Sequence, residues 1–299
     1  MCGITGFWDL KASNSNDVLR HDVAKMSDTL VSRGPDHYGN WVDCQSGVAL
    51  GHRRLAILDL SPSGHQPMVS GSGRFVMVFN GEIYNFKELK TQLSSLGHTF
   101  HTNCDCEILP AAYQQWGIDF LQKLNGMFAI AIYNHQKKQL ILARDRCGQK
   151  PLYYSQHNDK VYFSSEIRAL HKIGIPKALN HSAIPSYLSL RYVPEPETMF
   201  EGVQILPAGN YLTVDQATKQ PTPQKWFQIN AQKKTYSDPQ TELHQLTRSA
   251  IHTAMISDVP IALHLSAGID SSVLLAEIQR SDIPINAITA GFGAHSDEV

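Results

Sequence analysis

The chain has 299 residues, of which 42% are hydrophobic and 18% charged, with a formal net charge of −1. At roughly 100–200 residues per domain this length predicts two domains, and the even charge balance carries no basic signature of a nucleic-acid partner. No apolar run approaches the ~18 residues of a membrane span, and the N-terminus lacks the charged start and apolar core of a secretory signal, so a cytoplasmic protein without membrane contact is expected.

The chain opens on "MCGITGF". Residues 2–7 read as a buried first strand in which Cys2 is a small apolar filler, or as a reactive terminus. Once Met1 is trimmed, Cys2 carries a thiol and a free α-amine. Their ordinary pKa values of about 8.5 and about 7.7–8.0 allow proton exchange near neutrality. A terminal amine acting as base for its own side chain is a recognised route to an activated nucleophile. Cysteines at 2, 44, 104, 106 and 147, odd in number and without C-x-x-C, fit a reducing compartment better than a disulfide framework. Cys104-Asp105-Cys106 has no second ligand pair at zinc-like spacing, so no metal is expected there.

Further along, "RGPDHYG" (33–39) and "ARDRCGQKPLYY" (143–154) read as rigid turns, with Arg144, Asp145 and Arg146 as an internal ion network. "GHRRLAILDL" (51–60) sets two arginines before an apolar strand. An arginine fork holds a carboxylate bidentately, and an acid such as Asp105 holds an ammonium, so together they grip both charged ends of an amino acid. Taken singly, they read first as a surface salt bridge and a helix N-cap.

"RFVMVF" (74–79), "GMFAIAIY" (126–133) and "QLILAR" (139–144) are apolar and β-rich. "FNGEIYN" (79–85) supplies a side-chain amide at Asn80 and an unobstructed backbone amide at Gly81, two donors suited to an oxyanion. Asn-Gly is also the commonest hairpin dipeptide, and by itself the stretch reads first as a turn. "FKELKTQLSSLG" (86–97) and "CEILPAAYQQWG" (106–117) have helical spacing, with Pro110 in the first turns of the second. Antiparallel sheets with helices packed outside give an α+β layered domain.

Residues 171–235, with prolines at 194, 196, 207, 221 and 223, read as irregular loops closing this domain and linking it onward. Beyond 240 the pattern is helix (241–256), strand (259–265), small-residue turn "SAGIDSS" (266–272), helix (273–280) and strand (285–292), a parallel α/β unit. The turn follows a strand and opens a helix, where backbone amides and the helix dipole favour an anion. Asp270 would repel a phosphate directly and suits a Mg²⁺ ion beside it. The same residues also make a capped helix start.

The ordered series "MCGITGF", "RGPDHYG", "GHRRLAILDL", "FNGEIYN", "CDCEIL", "NGMFAIAIY", "RDRCGQKPLYY", "FSSEIRAL", "LPAGNYL" and "SDVPIALHLSAGIDSS" resembles the glutamine-dependent asparagine synthetases, class II amidotransferases with an N-terminal nucleophile. It spans nearly the whole chain and overturns the bland readings of Cys2, Asn80-Gly81 and 266–272. The resemblance implies an αββα glutaminase sandwich over 1–228, followed over 229–299 by the incomplete beginning of a parallel α/β pyrophosphate-loop ATP-binding domain. It implies that Cys2 attacks the glutamine amide, with Asn80 and the Gly81 amide as oxyanion hole. Arg54 would hold the glutamine carboxylate, Glu82 and Asp105 its α-amine, and backbone near Leu55 and Ile57 would line the pocket. Ammonia would pass through a tunnel to a second site that activates aspartate with ATP and Mg²⁺. There Leu265, Ser266, Gly268, Asp270, Ser271 and Ser272 would cradle the phosphates, Asp270 would hold the metal, and Ala290 would border the adenine. The partners implied are glutamine, aspartate and ATP, with a homodimer as the state the family often adopts.

Ala267 departs from the Ser-Gly-Gly usual in the family loop, and Cys104 and Cys106 replace commoner small polar residues. The sequence reading expects no asparagine synthesis from these residues alone. It keeps open an amidotransferase acting on another carboxylate, such as a sugar acid or cell-wall precursor, and a catalytically silent fragment.

Overall fold

Alternating apolar residues build two six-stranded sheets that share one core. The computed structural model describes residues 2–218, 220–231, 233–280 and 284–291, and the chain divides into two units, Met1–Ile229 and Asn230–Val299.

In the first unit the strands are β1 (Gly3–Asp9), β2 (His37–Asp43), β3 (Val48–Arg54), β4 (Met68–Val69), β5 (Phe75–Ile83), β6 (Gly126–Asn134), β7 (Gln139–Arg144), β8 (Tyr153–His157), β9 (Lys160–Ser164), β10 (Val203–Ile205), β11 (Asn210–Asp215) and β12 (Gln224–Lys225). The helices are α1 (Asn16–Asp28), α2 (Phe86–Ser95), α3 (Ile108–Trp116), α4 (Phe120–Lys123), α5 (Ile167–Lys172) and α6 (Ala183–Leu190). One sheet runs β10-β8-β9-β1-β3-β2 and the other β12-β11-β7-β6-β5-β4, with antiparallel pairing throughout both.

The period of two along each strand separates the layers. Ile4, Trp8, Val48 and Leu50 of the first sheet meet Val76, Val78, Ala129, Ala131, Leu142 and Leu212 of the second. Phe7 and Ala49 turn outward onto Leu19, Val23 and Met26 of α1 and Ala169 and Leu170 of α5. On the far side Phe75 meets Tyr113 of α3 edge-on, ring centroids 5.5 Å apart. The order helix, sheet, sheet, helix is the expected αββα sandwich.

Four local expectations change. Asn80-Gly81 is no hairpin turn: it lies inside β5, opposite Ala129 and Phe128 of β6. In "GHRRLAILDL" the strand comes before the loop, because "GHRR" ends β3 and Leu55–Leu60 is non-strand chain. Residues 171–235 are not merely loops, since β10 extends one sheet and β11 and β12 the other. Arg144, Asp145 and Arg146 do not pair with one another. Arg144 bonds Glu195 at 2.6 Å and the carbonyls of Gly148, Lys150 and Leu206. Asp145 accepts the N–H groups of Phe128, Cys147, Gln149 and Lys150, and Arg146 donates to the carbonyls of Gln122 and Leu124.

The second unit contains α7 (Pro239–Ala254), β13 (Ala262–His264), α8 (Ile269–Gln279) and β14 (Asn286–Ile288). β13 and β14 pair in parallel, Ala262 opposite Asn286, as the strand–helix–strand pattern predicts. α8 starts four residues earlier than its apolar run, at the small-residue turn. The last residue of the second expected strand, Phe292, lies outside the described residues.

Candidate active site

Cys2 enters β1 from a position fixed on both sides. Its carbonyl accepts the Arg33 Nε–H at 3.0 Å, and Arg33 Nη1 lies 3.3 Å from Glu166 Oε1. Ile4 and Ser165 exchange two hydrogen bonds just beyond. The half-buried thiol sits 3.5 Å from the Leu55 carbonyl, and the Leu55 N–H points to Sγ at 3.4 Å. Burial pushes the thiol up, while the Leu55 N–H and the charge of Arg54 act against that rise.

Among the described residues β4 covers β5 only at Val76 and Met77, and the edge of β5 beyond them has no strand partner. Side chains take its place. Phe79 N–H donates to Gln66 Oε1 at 2.6 Å, the Phe79 carbonyl accepts from His52 Nε2 at 3.1 Å, and Ile83 N–H donates to Asp105 Oδ2 at 2.8 Å. Burial holds His52 down at about 3, so its imidazole is neutral and Nε2 is the donor. Alternate residues of a strand direct their amides to the same side, so the Gly81 N–H, between Phe79 and Ile83, faces this edge as well. A Cβ on Gly81 would lie 2.1 Å from the Met127 carbonyl, which makes glycine obligatory for the β5–β6 approach. Asn80 is 1% exposed, and its Nδ2 has no hydrogen-bond partner among the described residues. An unpaired buried donor costs roughly 1–3 kcal/mol.

Arg54 is buried at the end of β3. Nη1 donates to the Ser61 carbonyl at 2.9 Å, and Nη2 to the carbonyls of Leu58, at 3.1 Å, and Asp59. Three of its five donors thus hold the following loop, and the expectation of a whole fork left for a carboxylate is narrowed accordingly. Asp59 Oδ2 in turn accepts the Asn103 N–H at 2.9 Å, tying this loop to the segment before Asp105.

Asp105 is buried and pushed up to about 6 by burial, against the Ile83 N–H and the Cys104 thiol. Glu82 is pushed up to about 7 by burial and by the charge of Asp105, with Lys150 opposing. Burial in turn lowers Lys150, and Glu82 supports its charge. Two neighbouring buried carboxyls, one raised by the charge of the other, are a receptor for a cation.

All eight residues expected at the glutamine site, Cys2, Arg54, Leu55, Ile57, Asn80, Gly81, Glu82 and Asp105, line one cleft of about 70 Å³. Gln66, Cys104 and Lys150 line it too. Sequence reasoning assigned Gln66 and Lys150 no role. The positional signal for Lys150 was its place in "RDRCGQKPLYY"; for Gln66 there was none, since it acts by standing in for a missing strand.

In the second unit, Leu265 through Ser272 form the turn between β13 and the first turn of α8. The Leu265 N–H donates to the Ile288 carbonyl at 2.9 Å. Gly268 is the N-cap of α8. Ser271 Oγ bonds the carbonyls of Ser266 and Gly268 and accepts the Ser266 N–H, and Ser272 Oγ bonds the Gly268 carbonyl. The serine hydroxyls therefore shape the turn itself, contrary to the simple picture of hydroxyls held out for a ligand. Asp270 is exposed in the first turn of α8, and Ala290 is exposed two residues beyond β14.

A thiol at residue 2, a buried amide without an acceptor, an open strand edge and neighbouring carboxyls meet in this one cleft. Residues 1–227 match the family described as the glutamine amidotransferase domain, and the chain belongs to that family. Residues 242–299 match the asparagine synthase family. The chain is 34% identical to "Asparagine synthetase [glutamine-hydrolyzing] 1" of Bacillus subtilis, an alignment covering 98% of this chain and 46% of that protein. It is 33% identical to "Amidase chry2" of Gibberella zeae, over 91% of this chain and 42% of the relative. The chain thus spans less than half the length of these relatives. The solved glutamine phosphoribosylpyrophosphate amidotransferase of B. subtilis superposes with a TM-score of 0.55 over 96% of this chain and 65% of its own. At 16% identity that likeness shows the fold alone. Among the described residues no helix is long and apolar enough to cross a membrane.

Proposed function

We propose that residues 1–228 hydrolyse glutamine and residues 229–299 begin an ATP-binding domain, the whole protein being a glutamine-hydrolysing asparagine synthetase. The observation that carries this reading is the unpartnered Asn80 amide beside Cys2 in one cleft. With Met1 removed, the Cys2 amine takes the thiol proton and the sulfur attacks the glutamine side-chain carbon. The Asn80 amide and the Gly81 N–H receive the oxyanion. The carbon–nitrogen bond breaks, the amine's proton leaves with ammonia, and water cleaves the thioester to glutamate. Glu82 and Asp105 hold the substrate ammonium, and what remains of the Arg54 fork faces its carboxylate. Leu55 and Ile57 wall the cleft.

In the second unit, small exposed residues at the start of an eleven-residue helix suit a phosphate chain. Leu265, Ser266, Gly268, Ser271 and Ser272 would hold the ATP phosphates, Asp270 a Mg²⁺ ion, and Ala290 would lie by the adenine. ATP supplies the activation of the aspartate carboxyl that ammonia requires. Five free cysteines support a reducing, cytoplasmic setting. Dimerisation belongs to the same reading, and light scattering checks it. A second reading, an amidotransferase for another acceptor, draws support from the relative named an amidase.

The test is intact mass together with glutamate release from glutamine. Loss of Met1 is expected, and Cys2→Ala is expected to lower the rate by about a thousandfold or more. Release that survives Cys2→Ala would overturn the assignment.

A further inference from the structure

Cys104 and Cys106 flank Asp105, and neither thiol has a place in the reaction above. Their sulfurs are 2.9 Å apart, inside normal sulfur contact distance and about 0.9 Å from bonding length. Cys104 lines the glutamine cleft and is reachable through it, while Cys106 is fully buried behind. The thiol of Cys104 also lies 3.6 Å from Asp105 Oδ1. Cys104, Asp105 and Cys106 place three metal-binding atoms within 4.8 Å of one another. A tetrahedral ion with bonds of about 2.3 Å holds its sulfurs nearly 4 Å apart, so the observed separation suits a disulfide better than a metal. Asp105 Oδ2 is moreover spent on the Ile83 N–H.

We propose that Cys104 and Cys106 are a redox-sensitive pair that a peroxide closes to a disulfide, and that closure weakens the hold of Asp105 on the substrate ammonium. The second half rests on the glutaminase reading. The Cys104 sulfur attacks the peroxide, its O–O bond breaks, and a sulfenic acid and one water result. The Cys106 sulfur then displaces the hydroxyl as a second water, and the S–S bond forms. Two thiols are oxidised by two electrons and hydrogen peroxide is reduced; an added dithiol reverses the exchange. The closed pair has no S–H left to donate to Asp105 Oδ1, and its sulfurs draw together around that residue. The Cys104 S–H favours the charged form of Asp105, so closure favours the neutral acid, which holds an ammonium poorly, and a rise of about tenfold in KM for glutamine is expected.

The test treats the whole chain with hydrogen peroxide, alkylates free thiols and digests with trypsin. Residues 91–123 form one tryptic peptide holding Cys104 and Cys106 and no other cysteine. The expected product is that peptide short of two hydrogens and unalkylated, restored by dithiothreitol. Cys106→Ala, whose side chain is outside the cleft, is expected to hydrolyse glutamine at its usual KM and to lose the reversible rise in KM. An open pair under conditions that oxidise Cys2 would overturn the proposal, as would the same rise in Cys106→Ala. Stoichiometric Zn²⁺ retention that blocks closure would overturn it in favour of a metal site. Closure under peroxide, in a protein that hydrolyses no glutamine before peroxide is added, would sink the glutaminase reading and the regulatory half, leaving the thiol pair established by mass.

Discussion

The two units carry functional motifs of similar clarity on very different supports. In the first, the segments that carry the candidate residues are held by partners the fold supplies: Arg33 on the Cys2 carbonyl, Gln66 and His52 on Phe79, Asp105 on Ile83. In the second, the turn before α8 is shaped by its own serines, and the apolar side chains around it face solvent. Ile269 is 78% exposed and Ile288 52% exposed. A motif specifies residue types, whereas a reactive geometry also needs a packed surround to hold it.

The largest effect that would break this comparison is at Asn80. Asn80→Ala is expected to lower kcat for glutamine hydrolysis about 10²–10³-fold with little change in KM, as loss of an oxyanion donor does. Because the wild-type amide is buried without a partner, its removal is not expected to destabilise the fold. A fall in KM-normalised rate accompanied by a lowered Tm would instead make Asn80 a structural residue.

Arg144→Ala comes next. Arg144 is 4% exposed, and its guanidinium joins the end of β7 to three carbonyls and Glu195. Stranding those acceptors is expected to cost about 3 kcal/mol, read by urea unfolding. Glutamine KM at temperatures well below Tm is expected to hold steady. A change confined to KM would move Arg144 into the binding site.

Glu82→Gln separates function from stability. Glu82 and Asp105 rise in the folded protein to about 7 and about 6, from ordinary values of 4.5 and 3.8. Folding therefore takes up protons between those limits. The contribution favours the folded state fully below pH ~4 and is lost as pH climbs through about 7. Glu82→Gln removes the burial of a charge, so the ligand-free Tm is expected to rise at pH 8, with the gain shrinking toward pH 5. The same substitution is expected to raise the KM for glutamine about tenfold. In the wild type, KM is expected to fall between pH 6 and pH 8 as both carboxyls ionise. A pH-independent KM would remove them as the ammonium holders.

The apolar runs 74–79, 126–133 and 139–144 were legible as strands because they are long and central, where burial on both faces demands continuous apolar sequence. β10 and β12 were not, since edge strands of two or three residues carry too little pattern and sit among prolines. At the site, the residue types at Cys2, Asn80 and Asp105 were readable, but the local dipeptide pointed Asn80-Gly81 to a turn. Only the pairing with β6 reveals a strand whose far edge is bare. Gln66 was invisible because its role is to fill that edge, a long-range consequence of β4 being two residues long.

Backbone protection addresses the comparison directly. Amide exchange slows where opening a hydrogen bond requires unpacking a core. Val76, Val78, Ala129 and Ala131 of β5 and β6 are fully buried between two sheets. In α8 only Glu277 and Ile278 are buried, and Val273 and Leu274 are 43% and 38% exposed. Hydrogen exchange read by mass spectrometry is therefore expected to be slow across 75–83 and 126–134 and orders of magnitude faster across 269–279. ATP with Mg²⁺ is expected to slow exchange at 265–272 while leaving 75–83 unchanged, because a ligand stabilises the segment it binds. Equal protection in both units without ligand would mean that α8 is held as firmly as the glutaminase sheets, and the contrast drawn from exposure would fail.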